Sequence, residues 1–208
     1  MGRKSKILYW LGVVLVLVAA RTGAAGELLG PVDSVSKTGS SAGSVRPAGI
    51  GPNRPAGVPA ETQEGKVARI VDGDTIRVAI DRPGGSVPVG RDHRIRILQI
   101  DTPETVRPNY PVQCAGQDAT AFARAELPVG STVYLLADRE DKDRFGRYLR
   151  YVWDFEGEFY NEKAVARGLA RAVVYPPNEL YAVRIRKAEA AANRDRRGLW
   201  GEACTGAQ

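Results

Sequence analysis

Hydrophobic positions along the chain change period several times, and the changes mark the elements. Lys66–Val71 and Thr75–Ile80 alternate apolar and polar residues and predict two strands interrupted at Asp72-Gly73-Asp74. Asp81–Arg91 is rich in Gly and Pro and predicts a long hairpin loop. His93–Ile100 alternates again, with Ile95 and Ile97 on one face and Arg94, Arg96 and Leu98 on the other. Gln117–Leu127 carries Ala119, Phe122, Ala123 and Glu126 at helical spacing. Thr132–Ala137 and Arg147–Trp153 predict strands, and Asn161–Gly168 a helix stopped by its glycine. Asn178 is placed to cap a last helix running to Arg197, with Gly198 as its stop and Trp200 available to pack back. Strands first and helices later predict a small α+β domain.

The amino-terminal third has another grammar. Arg3, Lys4 and Lys6 precede an uncharged apolar run, Ile7–Ala20, followed by small residues at Ala24 and Ala25. A positive start, a short apolar stretch and small residues are the pattern of an export signal. The run is short for a spanning helix, which needs about 20 residues; an uncleaved anchor borrowing flanking residues is the alternative. Residues 21–61 hold 8 Gly, 5 Pro, 5 Ser and no aromatic residue. Such a stretch buries too little apolar surface to offset its ordering entropy. The expected organisation is a signal or anchor over 1–25, a flexible linker over 26–61 and one domain over 62–203. The protein is then secreted or periplasmic, or tethered by its first segment.

Composition narrows the chemistry. One His and two Cys exclude zinc sites built from His and Cys clusters, and any mechanism needing two histidines. Oxygen donors remain in quantity, which suits hard cations. The net charge of +6 points toward nucleic acid less than it first suggests. Residues 1–61 hold 7 Lys/Arg and 3 Asp/Glu, leaving 23 against 21 for the rest, so the domain is nearly balanced and any anion site is local.

Candidate groups sit near strand ends. Asp74 follows Val71-Asp72-Gly73; Asp101 and Glu104 lie in Ile100-Asp101-Thr102-Pro103-Glu104-Thr105. If these strands are neighbours, Asp74 and Asp101 approach at one sheet end, where two ionised carboxylates repel unless a cation sits between them. Turn chemistry explains each acid singly, since Asp-Gly is a common turn and Asp101-Thr-Pro-Glu104 reads as a helix start. Arg96 and Arg147 read as a solvated strand face and a hairpin rim, or together as a phosphodiester site.

Four ordered motifs carry a resemblance. Val71-Asp-Gly-Asp-Thr-Ile76, Arg96-Ile-Leu-Gln-Ile-Asp-Thr-Pro-Glu-Thr105, Asp143-Arg-Phe-Gly-Arg147 and Asn161-Glu162 with Gly168-Leu-Ala170 resemble the staphylococcal nuclease-like (thermonuclease) family over residues 64–202. The resemblance implies a five-stranded OB-fold β-barrel with about three helices. It implies Ca²⁺ held by the Asp74 and Asp101 carboxylates and the Thr102 carbonyl. Arg96 and Arg147 would hold the scissile phosphate, and Glu104 would activate the attacking water or order water around the metal. The implied activity is endonucleolytic hydrolysis of DNA and RNA to 3′-phosphate products; a binding module without chemistry is the alternative. Nucleic acid is the expected partner, a monomer the expected state, and the amino-terminal segment the only expected membrane contact. Arg144 and Tyr175 are candidate substrate contacts. Phe145 stands where the family often has Tyr, which removes a hydroxyl contact to a terminal phosphate. Cys114 and Cys204, an even count in an exported chain, are expected to form a disulfide. The loop 81–91, longer than usual in the family, is read as a lengthened hairpin rather than a substrate contact.

Overall fold

The computed structural model describes residues 54–103 and 113–205. The signal segment, most of the linker and Glu104 lie outside the described residues. Seven strands form among the described residues: β1 (Gln63–Ile70), β2 (Thr75–Ile80), β3 (Gly90–Ile97), β4 (Ile100–Asp101), β5 (Thr132–Leu136), β6 (Tyr148–Trp153) and β7 (Arg171–Ala172). The helices are α1 (Gly116–Glu126), α2 (Tyr160–Ala166), α3 (Ala182–Arg194) and a short α4 (Glu202–Thr205), with a 3₁₀ turn at Gly198–Trp200. Five strands close a barrel in the order β1-β2-β3-β6-β5, and β4 pairs with β7 in a separate two-stranded ribbon. Every barrel pairing is antiparallel except β3 with β6. This is a five-stranded OB-fold barrel with three principal helices.

Alternation fills the barrel. Val67, Ile76, Val78, Ile80, Ile95, Ile97, Val133 and Leu135 are all at most 1% exposed. A register shift between Val67 and Arg69 leaves Ala68 and Arg69 both exposed, so β1 changes period midway. β6 is buried along its whole length. Its outer aromatics join Phe159 and Tyr181: ring centroids of Trp153–Phe159 and Tyr151–Tyr181 are 4.6 and 4.8 Å apart.

Polar side chains peg the connections. Asn161, fully buried, accepts from Val152 N at 3.0 Å and donates to Leu98 O at 2.7 Å. Gln99, in the left-handed region (φ 59°), donates to Asn178 O at 3.0 Å. Asn178 is a buried staple that accepts from Glu140 N at 2.8 Å rather than a helix cap; α3 starts at Ala182. Leu98 is likewise not on the outer strand face. β3 stops at Ile97 and the following turn folds Leu98 inward, 4% exposed.

The long β2–β3 connection is anchored. Val87 is 1% exposed and exchanges two hydrogen bonds with Gln63, at 2.8 and 3.2 Å. Ser86 and Asp141 surround the guanidinium of Arg150, a side chain the strand pattern did not single out and which is 1% exposed. Residues 54–61, read as linker, include Arg54, which donates to Pro59 O and Thr62 O at 2.5 and 3.2 Å. Its guanidinium satisfies carbonyls at the foot of β1, so the folded unit takes in this stretch.

The carboxy-terminal end is fixed at two points. Gly168 (φ 71°) approaches so closely that a Cβ there would lie 2.1 Å from Arg197 O. Cys114 and Cys204 are disulfide-bonded, closing a span of 90 residues. In the chain-entropy account a closed loop of that length contributes up to about 4–5 kcal/mol. The Cys114→Ser/Cys204→Ser protein should unfold at lower urea concentration than the native chain, and reductant should shift only the native chain. Coincident melts in all four cases would contradict this.

Candidate active site

The β1–β2 turn sets the first carboxylate. Asp72 accepts from the amides of Asp74 and Thr75 at 3.0 and 2.7 Å, fixing the turn by a local side-chain-to-backbone bond. Tyr160, buried in α2, donates its hydroxyl to Gly73 O at 2.7 Å. Gly73 is needed for the approach: a Cβ there would lie 2.7 Å from Thr102 Cγ2. The turn therefore lies directly against the segment after β4.

Asp74 joins the two segments. It is 7% exposed; its Oδ2 accepts from Thr102 N at 2.9 Å and Thr102 Oγ1 at 3.1 Å, and its Oδ1 accepts from Thr75 Oγ1 at 3.0 Å. Arg96 bridges the carboxylates. Its Nε lies 3.4 Å from Asp74 Oδ1 and a terminal nitrogen 3.1 Å from Asp101 Oδ1. The other terminal nitrogen donates to Ile97 O and Ile100 O, both at 2.7 Å, and so closes the β3–β4 turn. One guanidinium thus reaches two carboxylates and two carbonyls. Asp101 is the exposed member, with 54% of its side chain accessible.

Burial, and then the charge of Asp74, push the Asp72 carboxyl up to about 6. The donors gathered here, Asp74, Asp101 and the backbone beside Thr102, are all oxygen, the set a hard divalent cation takes. Among the described residues no three His, Cys, Asp or Glu side chains form a metal cluster. The fit is therefore to two carboxylates completed by carbonyl oxygen and water.

Arg147 comes from the turn before β6. Its amide and Nε both donate to Asp143, at 2.9 and 2.6 Å. Burial opposes ionisation of Asp143, but the Arg147 amide and guanidinium outweigh it and hold the carboxyl below the usual range. The terminal nitrogens of Arg147 make no hydrogen bond among the described residues. Because β3 and β6 are parallel with Ile95 opposite Tyr148, Arg147 stands beside Arg94. Arg94, Phe145 and Arg147 line an open pocket of about 380 Å³. Alternation on β3 places Arg94 and Arg96 on one face.

The structure brings Asp74, Arg96, Asp101 and Thr102 together and sets Arg147 in the turn that leads into the neighbouring strand. Arg144 is exposed, 4.8 Å above the Phe145 ring. Tyr175 is 62% exposed in the turn closed by Asn178 N to Tyr175 O, without a contact to the Asp74 cluster among the described residues. The sequence pattern placed Arg94 on the same strand face as Arg96 without giving it a role; its neighbour Arg147 comes from the parallel pairing of β3 with β6.

The chain belongs to the staphylococcal nuclease homologue family, whose family model matches residues 94–202. The thermonuclease of Staphylococcus intermedius is 42% identical over 134 residues, 64% of this chain and 74% of that protein. The thermonuclease of Staphylococcus hyicus is 42% identical over 135 residues, 65% of this chain and 74% of that one. Endonuclease YncB of Bacillus subtilis is 37% identical over 136 residues, which span 64% of this chain and 60% of that protein.

Asp72 generates a pH prediction. Its proton is bound more tightly in the folded chain, so this group withdraws stability as pH rises from about 4 to about 6. Asp72→Asn keeps an oxygen acceptor for both amides. In metal-free buffer at pH 7 it should be more stable than the native chain by about 1–2 kcal/mol, the gap closing toward pH 4. Urea melts at the two pH values check this; a gap independent of pH would contradict it.

Proposed function

We propose that the protein is an exported, Ca²⁺-dependent endonuclease that hydrolyses phosphodiester bonds of DNA and RNA without selecting the sugar. The observation carrying this reading is Arg96, which draws the carboxylates of Asp74 and Asp101 to one point while Arg147 keeps its guanidinium fork open in the turn before the adjacent strand. The family and its thermonuclease and endonuclease relatives support the hydrolase class.

In this reading Asp74, Asp101 and the Thr102 carbonyl hold Ca²⁺, which supplies Lewis-acid stabilisation of charge on the phosphoryl oxygens. Arg96 and Arg147 donate to those same oxygens, where negative charge grows as the water oxygen attacks phosphorus. Holding Arg147 by Asp143 fixes the fork before substrate arrives, so little reorganisation is left for the reaction itself. Glu104 takes the proton of the attacking water or orders water at the cation. With one His in the chain, carboxylate is the available base. The 5′-oxygen leaves and a 3′-phosphate remains. Arg144 and Tyr175 extend the contact to substrate. The amino-terminal segment directs export, with release or tethering as its two outcomes, and the folded unit acts as a monomer.

Plasmid digestion tests the reading. Cutting should require Ca²⁺ and stop with EGTA. Arg147→Ala and Glu104→Gln should each lower kcat by about 10²-fold or more while leaving the far-UV spectrum unchanged. Full-rate cutting in chelator, or full activity in both variants, would defeat it. Binding of nucleic acid with no cutting under any metal would favour a module without chemistry.

A further inference from the structure

We propose that Arg94 forms a second phosphate subsite beside the scissile position, holding a flanking phosphodiester of the bound strand. The proposal rests on the nuclease reading above and adds a residue that reading does not use.

The first observation is position. Arg94 shares a face of β3 with Arg96 and lies about 7 Å from it along the strand. It lines the same pocket as Arg147, with Phe145 as the third wall. The pocket is open to solvent, so an extended strand crossing it passes both guanidiniums.

The second observation is commitment. Arg96 is fixed at the scissile position by its contacts to two carbonyls and two carboxylates. Arg147 is half spent on Asp143. Arg94 is exposed and makes no side-chain hydrogen bond or ion pair among the described residues.

The third observation is a local conflict. Arg94 lies directly across from Arg77 in the β2–β3 ladder. Like charges opposite one another destabilise a sheet. Arg77 turns to Asp92, whereas Arg94 has no such counter-ion among the described residues. A charge held against a like charge, beside an open pocket and without a structural partner, is a local rule broken in favour of a site. Phe145, 62% exposed, has the Arg147 guanidinium 5.5 Å from its ring centroid. Asp143 holds the Nε of Arg147 at 2.6 Å, which aims its fork at the scissile position and leaves a flanking phosphate to Arg94.

The test separates this subsite from the chemistry. Binding of a fluorescein-labelled single-stranded oligonucleotide is measured by anisotropy in EGTA over a range of salt. Arg94→Gln should weaken binding about three- to tenfold at 0.1 M salt and lower the slope of log K against log salt by about 0.7, equally for all sequences. Arg94→Lys should restore most of the slope, and Arg186→Gln, an exposed charge on α3, should leave it unchanged. In turnover with Ca²⁺, Arg94→Gln should raise KM for the oligonucleotide by the same factor with kcat held. On a nitrophenyl ester of thymidine 5′-phosphate, which has one phosphodiester, it should match the native protein. An unchanged salt slope, or an equal loss on both substrates, overturns the subsite. If the native protein cuts neither substrate the nuclease reading fails, and the salt slope still decides whether Arg94 holds phosphate.

Discussion

A single carboxylate, Asp74, joins two turns that are distant in sequence. It accepts from the backbone and side chain of Thr102 and lies against Arg96, so the β1–β2 turn and the end of β4 share one polar centre. A nearly buried carboxylate is costly unless hydrogen-bonded and paired. Asp74 meets both conditions only in the arrangement that also brings Asp101 to the other side of the same guanidinium. Folding and site assembly are thus one constraint.

Around that centre the barrel supplies rigidity through buried polar pegs rather than extra apolar bulk. Asn161 holds the turn at Leu98, Gln99 reaches Asn178, and Tyr160 fixes Gly73. Each peg leaves its partner unsatisfied if removed, a penalty larger than the bond's net contribution. The β3–β4 turn, with Gln99 in the left-handed region, is held from three elements at once, and Arg96 closes it from within. This is why a flexible arginine stays aimed at two carboxylates.

Much of the fold was legible in the sequence because the local rules agreed. β2 follows its alternation without a shift, and α1 keeps the helical spacing of Ala119, Phe122 and Ala123. The resemblance supplied the barrel's closure, which periodicity alone does not specify. What was not legible depends on long-range partners. Asn178 looks like a helix cap until a backbone amide from the β5–β6 connection claims it. Leu98 continues an alternation until Gln99 reverses the chain. Arg150 reads as a polar residue in a strand, and only Asp141 and Ser86 explain its burial. At the site, the acids and Arg96 were visible as motif residues. The position of Arg94 beside Arg147 was not, because it depends on the parallel pairing of β3 with β6.

In the proposed reading Asp74 organises a cation centre facing phosphate. Calorimetry of a thymidine 3′,5′-bisphosphate titrated into the protein, with Ca²⁺ and with EGTA, addresses it most directly. Ca²⁺ should strengthen binding by at least about tenfold in the native protein, the equivalent of about 1.4 kcal/mol, and Asp74→Asn should lose that enhancement. Nucleotide affinity that is the same with and without Ca²⁺, or the same enhancement in both proteins, would contradict it.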